Sequence, residues 1–169
     1  MVTTDLAANR ELTEQIVAFL CAIGLSVRAD EIVGDTVLPG LRVVHGVLVY
    51  DPAKLRFPGD LLHEAGHLAV KSPADRMRAE ADLGNDPAEE MMAISWSYAA
   101  ALHLQIPPEV VFHPDGYRGG SASLLQNFAE GHFLAVAMLQ WLGLAYEPKQ
   151  AEALGVDAFP KMRAWVRQV

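Results

Sequence analysis

Between Leu61 and Val70 the chain sets two histidines and a glutamate in an otherwise apolar run, Leu61-Leu62-His63-Glu64-Ala65-Gly66-His67-Leu68-Ala69-Val70. Apolar residues on most faces predict a buried helix. Polar groups buried there are costly unless something answers them. His63 and His67 are four residues apart and share one helical face, so both imidazoles can point at a common atom. Zinc accepts imidazole nitrogens at about 2.0–2.1 Å, which suits rings one helical turn apart. Glu64 projects roughly 100° around the helix from His63. There it can reach a water at the metal without ligating the metal, as a general base must. Gly66 costs about 1 kcal/mol against alanine inside a helix, which predicts that another element packs very close to it.

A catalytic zinc usually takes three protein ligands. The candidates for the third are Glu89 and Glu90, at the start of a second predicted helix. With Asp86 as N-cap and Pro87 at N1, Glu89 falls at N3, where its carboxylate can turn back to the Asp86 N–H as in a capping box. Glu90 falls one position further, on the face of Ala93, Ile94 and Ser97. Glu90 is the ligand this register favours, with Glu89 as the alternative and Asp115 as a further one. Tyr117 and Arg118, in the breaker-rich loop 113–120, are candidate donors to an oxyanion. His132 reads as a core or supporting histidine, and a role as fourth ligand would close the site.

Around these residues the pattern is mostly helical. A first helix is predicted over about 5–23, with Cys21 buried in it and Gly24 ending it. A β-hairpin over about 41–50 turns at His45-Gly46. The metal-binding helices are predicted over about 60–70, capped by Asp60, and about 87–104. Between them a short helix starts at Ser72-Pro73 and ends at Leu83-Gly84. One long helix from Ser121 or Ser123 to Leu142, then two short ones over about 148–154 and 157–168, complete a C-terminal helical part spanning about 121–168. The expected fold class is α+β, mostly helical, as one domain over 1–169 with a small sheet before the first metal-binding helix.

Composition excludes several alternatives. The chain is 51% hydrophobic, with 13 Lys plus Arg against 21 Asp plus Glu, a net charge of −8. Disorder does not fit that hydrophobic fraction. An acidic chain without a basic run does not fit nucleic acid or an anionic membrane as partner. No basic and apolar leader and no long charge-free apolar stretch is present, and the single cysteine forms no internal disulfide. A cytoplasmic protein is the expectation.

His63-Glu64-Ala65-Gly66-His67 resembles the signature of the zincin metallopeptidases, and a glutamate on the next long helix resembles the gluzincin pattern. The segment from Glu90 through Ala93, Ile94, Ser97 and Leu102 to Pro107 is similar to the third-ligand helix of the compact ImmA/IrrE-like metallopeptidases. The resemblance covers about residues 41–108. It implies a minimal zincin-like domain and a Zn²⁺-dependent hydrolase acting on a peptide or protein substrate, with His63, His67 and Glu90 on the metal and Glu64 as base. The alternative is a non-catalytic, regulatory peptide- or protein-binding module that retains the metal site. The sequence is silent on oligomeric state.

Overall fold

In the computed structural model, which describes residues 2–80 and 86–169, two helices cross at a glycine. They are α2, Asp60–Val70, and α4, Pro87–His103. A Cβ built on Gly66 would meet the Ala93 carbonyl oxygen at 2.9 Å and the Ala93 Cα at 3.0 Å. Glycine is what lets the two backbones approach this closely. The joint is sealed by Leu61, Leu62, Ala65, Leu68 and Ala69 from α2 and by Trp96, Ala100 and Ala101 from α4, all fully buried.

Helix α1, Val2–Ala22, buries Ile16, Phe19 and Leu20 in the same core. It ends as its glycine predicts. Gly24 takes φ +94° and the Leu25 N–H reaches back to the Leu20 carbonyl, closing a Schellman-type end. Cys21, expected buried, is exposed. It follows Leu20 by one position, which turns it about 100° off the buried stripe.

The sheet has three strands, β1 Ser26–Ala29, β2 Leu41–Val44 and β3 Val47–Tyr50, in the order β1-β3-β2. The hairpin pairs Val44 with Val47 and Leu41 with Tyr50. Its turn places His45 and Gly46 at φ +47° and +75°, the geometry of a two-residue turn with both central residues left-handed. Strand β1 adds parallel to β3, from Ser26 opposite Val47 to Ala29 opposite Tyr50. The sequence pattern does not single it out, because the polar–apolar alternation of Ser-Val-Arg-Ala lasts only four residues, the shortest run that marks a strand, and Val27 alone of them is even half-buried.

Four expectations are corrected. Asp60 does not cap α2. Gly59 holds that position without a side-chain bond, and a Cβ there would sit 2.0 Å from the Val110 carbonyl. Asp60 instead lies buried in the first turn, bonded to His113. The long helix over 121–142 is two: α5, Ser121–Ala129, and α6, Val136–Trp141. Gly131 at φ +80° and Ala135 at φ +51° break it, and the His132 N–H turns back onto Asn127 at 2.7 Å. The helix predicted over 157–168 is absent, because the Phe159, Arg163 and Ala164 N–H groups are taken by the carbonyls of Tyr146 and Leu144. That segment runs irregularly, bridged Met162 to Ala145, after α7, Pro148–Leu154. The short helix α3 spans Pro73–Met77, with Ser72 accepting from the Asp75 N–H. It stops well short of the predicted end at Leu83-Gly84, which lies outside the described residues: Arg78 closes the helix on the Asp75 carbonyl, and the Ala79 carbonyl is taken by the Gly46 N–H of the hairpin turn.

The molecule is therefore α+β and mostly helical, with a small sheet ahead of α2. Among the described residues, no helix is long and apolar enough to cross a membrane.

Gly66→Ala offers a direct test of the α2–α4 joint. It gains about 1 kcal/mol of helix propensity but overpacks a rigid backbone contact, which typically costs 1–3 kcal/mol. The expected net result is a thermal midpoint lower by a few degrees, at about 2–4 °C per kcal/mol. A raised midpoint in calorimetry would mean that the contact is loose.

Candidate metal centre

The crossing at Gly66 sets His67, the next residue on α2, against the first turn of α4. Asp86 caps that turn, its side chain accepting from the Ala88 N–H at 2.9 Å, with Pro87 at N1. Two acidic residues then enter the helix at N3 and N4, where the positive end of the helix dipole favours them.

His63, His67 and Glu90 converge. The Nε2 atoms of the two histidines are 3.2 Å apart, and Glu90 Oε2 lies 3.0 Å from His67 Nε2 and 3.6 Å from His63 Nε2. An ion with bonds of about 2.0–2.1 Å at tetrahedral angles spaces its ligands about 3.3–3.4 Å apart. The triangle has that size. The outer ring nitrogens are already engaged. His67 Nδ1 donates to Glu89 Oε1 at 3.0 Å, and Lys71 Nζ donates to Glu89 Oε2 at 2.6 Å. His63 Nδ1 stands 3.1 Å from the Tyr117 hydroxyl. With each Nδ1 carrying its proton, both Nε2 lone pairs and a carboxylate oxygen face one point. Such a donor set fits a cation.

The electrostatics agree. Burial lowers the His67 imidazole, but hydrogen bonds to Glu89 and Glu90 outweigh it and raise the pKa to about 9. Burial acts to raise Glu90 and Glu89, yet the histidines, and for Glu89 also Lys71, hold both carboxyls below their usual range. Without a metal, a proton on His67 occupies the place of the cation. Burial pushes the Glu64 carboxyl above its usual value, partly offset by His63 and His67. Burial also lifts the Tyr117 phenol far above its usual value, helped by Asp60 and Glu90, so this hydroxyl stays neutral.

Glu64 lines the same open cavity of about 700 Å³ as His63, His67 and Glu90, together with Ile94 and Asn127. Its carboxylate is outside the converging triad. The capping box expected of Glu89 is not formed, because its carboxylate turns to His67 and Lys71 instead. Lys71 follows His67 by four residues on the same helical face, a spacing that could have revealed this pair. Tyr117, read as an oxyanion donor, touches the back of His63. Its neighbour His113 is buried, stacked on Phe57 at 3.8 Å and bonded to Asp60 at 3.0 Å, which anchors the loop to the start of α2. His132 is exposed beside Glu130 at 3.5 Å, and Asp115 pairs with Arg56 at 3.2 Å; neither joins the triad. Exposed His45 pairs with Glu80 at 2.6 Å, while His103 packs against Phe19 and Trp165.

Glu90→Ala removes a ligand and should abolish stoichiometric metal uptake. Glu89→Gln leaves all three ligands and weakens only the hold on His67, which should lower metal affinity about 10–100-fold. Competition with a chromogenic chelator separates the two, and equal losses would mean that Glu89 itself ligates. The metal-free protein carries a pH signature. His67 has a folded pKa of about 9 against an ordinary 6.5. Its contribution to stability is complete below 6.5 and lost as pH rises through 9. The lowered carboxyls of Glu89 and Glu90 contribute above their ordinary 4.5 and lose that contribution as pH falls. Urea midpoints of the metal-free chain should therefore peak between about 4.5 and 6.5 and decline toward pH 9. His67→Gln should flatten that alkaline decline.

Compared with protein-family models, curated proteins and solved structures, the chain finds no match, so the site is read from its own geometry.

Proposed function

We propose that this chain is a zinc-dependent hydrolase of peptide bonds, a metallopeptidase of the zincin type, resembling the gluzincins and the compact ImmA/IrrE-like enzymes. The observation that carries the reading is the separation of roles in one open cavity. Three groups converge as ligands, and a second carboxylate in the same cavity, Glu64, stands outside the triad. A purely structural site has no use for that carboxylate and would be closed by a fourth protein ligand. The one histidine offered for that place, His132, is 71% exposed.

His63, His67 and Glu90 would hold the ion. When bound, zinc supplies Lewis acidity, polarising the scissile carbonyl and making water a competent nucleophile near neutral pH. Glu64 takes the proton of the attacking water, and the burial that raises its pKa makes it a better base for that purpose. It then carries the proton to the leaving amine. Glu89, backed by Lys71, fixes the ring of His67, and Tyr117 fixes that of His63. Ile94 and Leu124 give the cavity apolar walls, and Ser123 and Asn127 offer hydrogen bonds for a peptide backbone. A reducing, cytoplasmic setting suits the exposed free thiol of Cys21.

Glu64→Gln keeps the shape and removes the base. The variant should fold, bind one zinc per chain and lose about 10²–10⁴ in rate against substrates found in a quenched-peptide library. Equal cleavage by both proteins would overturn the mechanism. A zinc-loaded parent that cleaves no peptide would favour the regulatory binding module.

A further inference from the structure

We infer that Arg118 selects the substrate, its guanidinium receiving a carboxylate side chain carried next to the bond that lies at the metal centre. The inference rests on the zinc-hydrolase reading above.

Tyr117 and Arg118 are consecutive non-glycine residues, each with φ +52°. The left-handed region costs an L residue roughly 1–2 kcal/mol, and strain of this kind persists where surrounding structure imposes it. For Tyr117 the imposing contact is His63. Arg118 is exposed, and its side chain makes no hydrogen bond or ion pair among the described residues. The strained turn instead sets it at the junction of two cavities that share His63 and Glu90. One, of about 700 Å³, has the apolar walls of Ile94 and Leu124, and the other, of about 370 Å³, contains Phe57 and Arg56. Arg118 lines both.

Among the described residues, Arg118 is the only lysine or arginine on the wall of the larger cavity. In the smaller one Arg56 is already paired with Asp115. A divalent ion would offset the charges of Glu64 and Glu90, and among the described residues Arg118 is the one arginine or lysine lining the two cavities that has no carboxylate partner. A free guanidinium fork matches a carboxylate in two parallel hydrogen bonds. An oxyanion donor needs a fixed, water-excluded position, which an exposed side chain without partners does not have. Because the cleft continues on both sides of Arg118, a chain lying across the triad passes it and does not end there. That geometry calls for the side chain of Asp or Glu within a peptide, not for a C-terminal carboxylate.

The test uses the zinc-loaded full chain carrying Glu64→Gln, so that affinity is read without turnover, with metal content measured in every variant. The probes are amidated peptidyl hydroxamates in which Glu, Gln or Lys follows the metal-binding group. A fourth has Gln and a free C-terminal carboxylate. The Glu probe should bind about tenfold more tightly than the Gln probe, the size of one charge-assisted contact, with Lys weakest. Adding Arg118→Ala should bring the Glu-to-Gln ratio near one, and Arg118→Glu should turn the preference to Lys. Equal Glu and Gln affinities, or a ratio that Arg118→Ala leaves intact, would overturn the role of Arg118 and leave the hydrolase reading standing. A uniform loss across all probes in Arg118→Ala would likewise overturn selection. If the free-carboxylate probe matches the Glu probe, the side-chain assignment is wrong. If none of the four binds a protein that holds one zinc, the open metal centre fails and the inference fails with it.

Discussion

The close approach of two backbones at Gly66 and Ala93 sets the rest of the site. One residue beyond the crossing on α2 is His67, and three before it on α4 is Glu90. The distance between helix axes therefore decides whether an imidazole and a carboxylate can share a point. A side chain at residue 66 would hold the helices apart by tenths of an ångström. Ligand spacings of 3.0–3.6 Å leave little room for that. Small residues on α4 continue the same logic, since Ala93, Ala100 and Ala101 are buried with almost no side chain to separate the helices. The joint stabilises the fold less through buried area per residue than through fit, which is how interiors transmit small changes in volume.

What gathers at that joint would be unstable without a positive charge. Two imidazole lone pairs and a carboxylate oxygen meet at one point, and the atoms behind them hold them there. Glu89 accepts from one ring, the Tyr117 hydroxyl meets the other, and Lys71 answers the free oxygen of Glu89. A proton and a divalent ion are alternatives for this place. The raised pKa of His67 and the lowered pKa of Glu90 are the electrostatic record of that demand. Glu64 meets a different environment a short distance away. Burial there raises the carboxyl and no hydrogen-bond partner lowers it. One site thus contains a carboxylate held as an anion and another poised to take up a proton, the pairing that acid–base chemistry uses.

Much of this was legible in the sequence where local rules suffice. The i, i+4 histidines, the Asp86-Pro87 helix start that separates Glu89 from Glu90, the close approach at Gly66 and the His45-Gly46 turn all follow from helical period, capping and backbone freedom. Long-range partners were not legible. Asp60 looked like a cap because Asp often is one, yet it is drawn inside by His113, 53 residues away. Glu89 looked like half of a capping box, and His67 and Lys71 of the preceding helix outcompeted the Asp86 N–H for it. Strand β1 forms along the edge that β3 offers, and the alternation of its own four residues is too short to stand out. One helical error had a local signal that was outweighed, Gly131, set within apolar spacing that reads as continuous helix, whereas the segment over 157–168 is drawn out of helix by carbonyls of Leu144 and Tyr146.

Loop 113–120 shows how a segment without regular structure can be as fixed as the helices it serves. Its first residue, His113, is clamped between the Phe57 ring and the Asp60 carboxylate, and Ser121 Oγ donates to the His113 carbonyl at 2.7 Å. Gly116 runs close against the same imidazole, where a Cβ would stand 3.2 Å from His113 Cε1. Four residues past His113, the chain must put the Tyr117 hydroxyl on His63, and the left-handed turn is the conformation that spans the gap. Asp60 and His63 are one helical turn apart on α2, so the loop is pinned at His113 and again at Tyr117 to the helix that supplies two members of the triad. Any displacement of the loop would then be felt at His63, and any displacement of His63 would move Arg118 at the mouth of the cleft. Ligand orientation and cleft shape are mechanically one system, which explains why a strained pair of residues is tolerated at this position and not relieved by glycine.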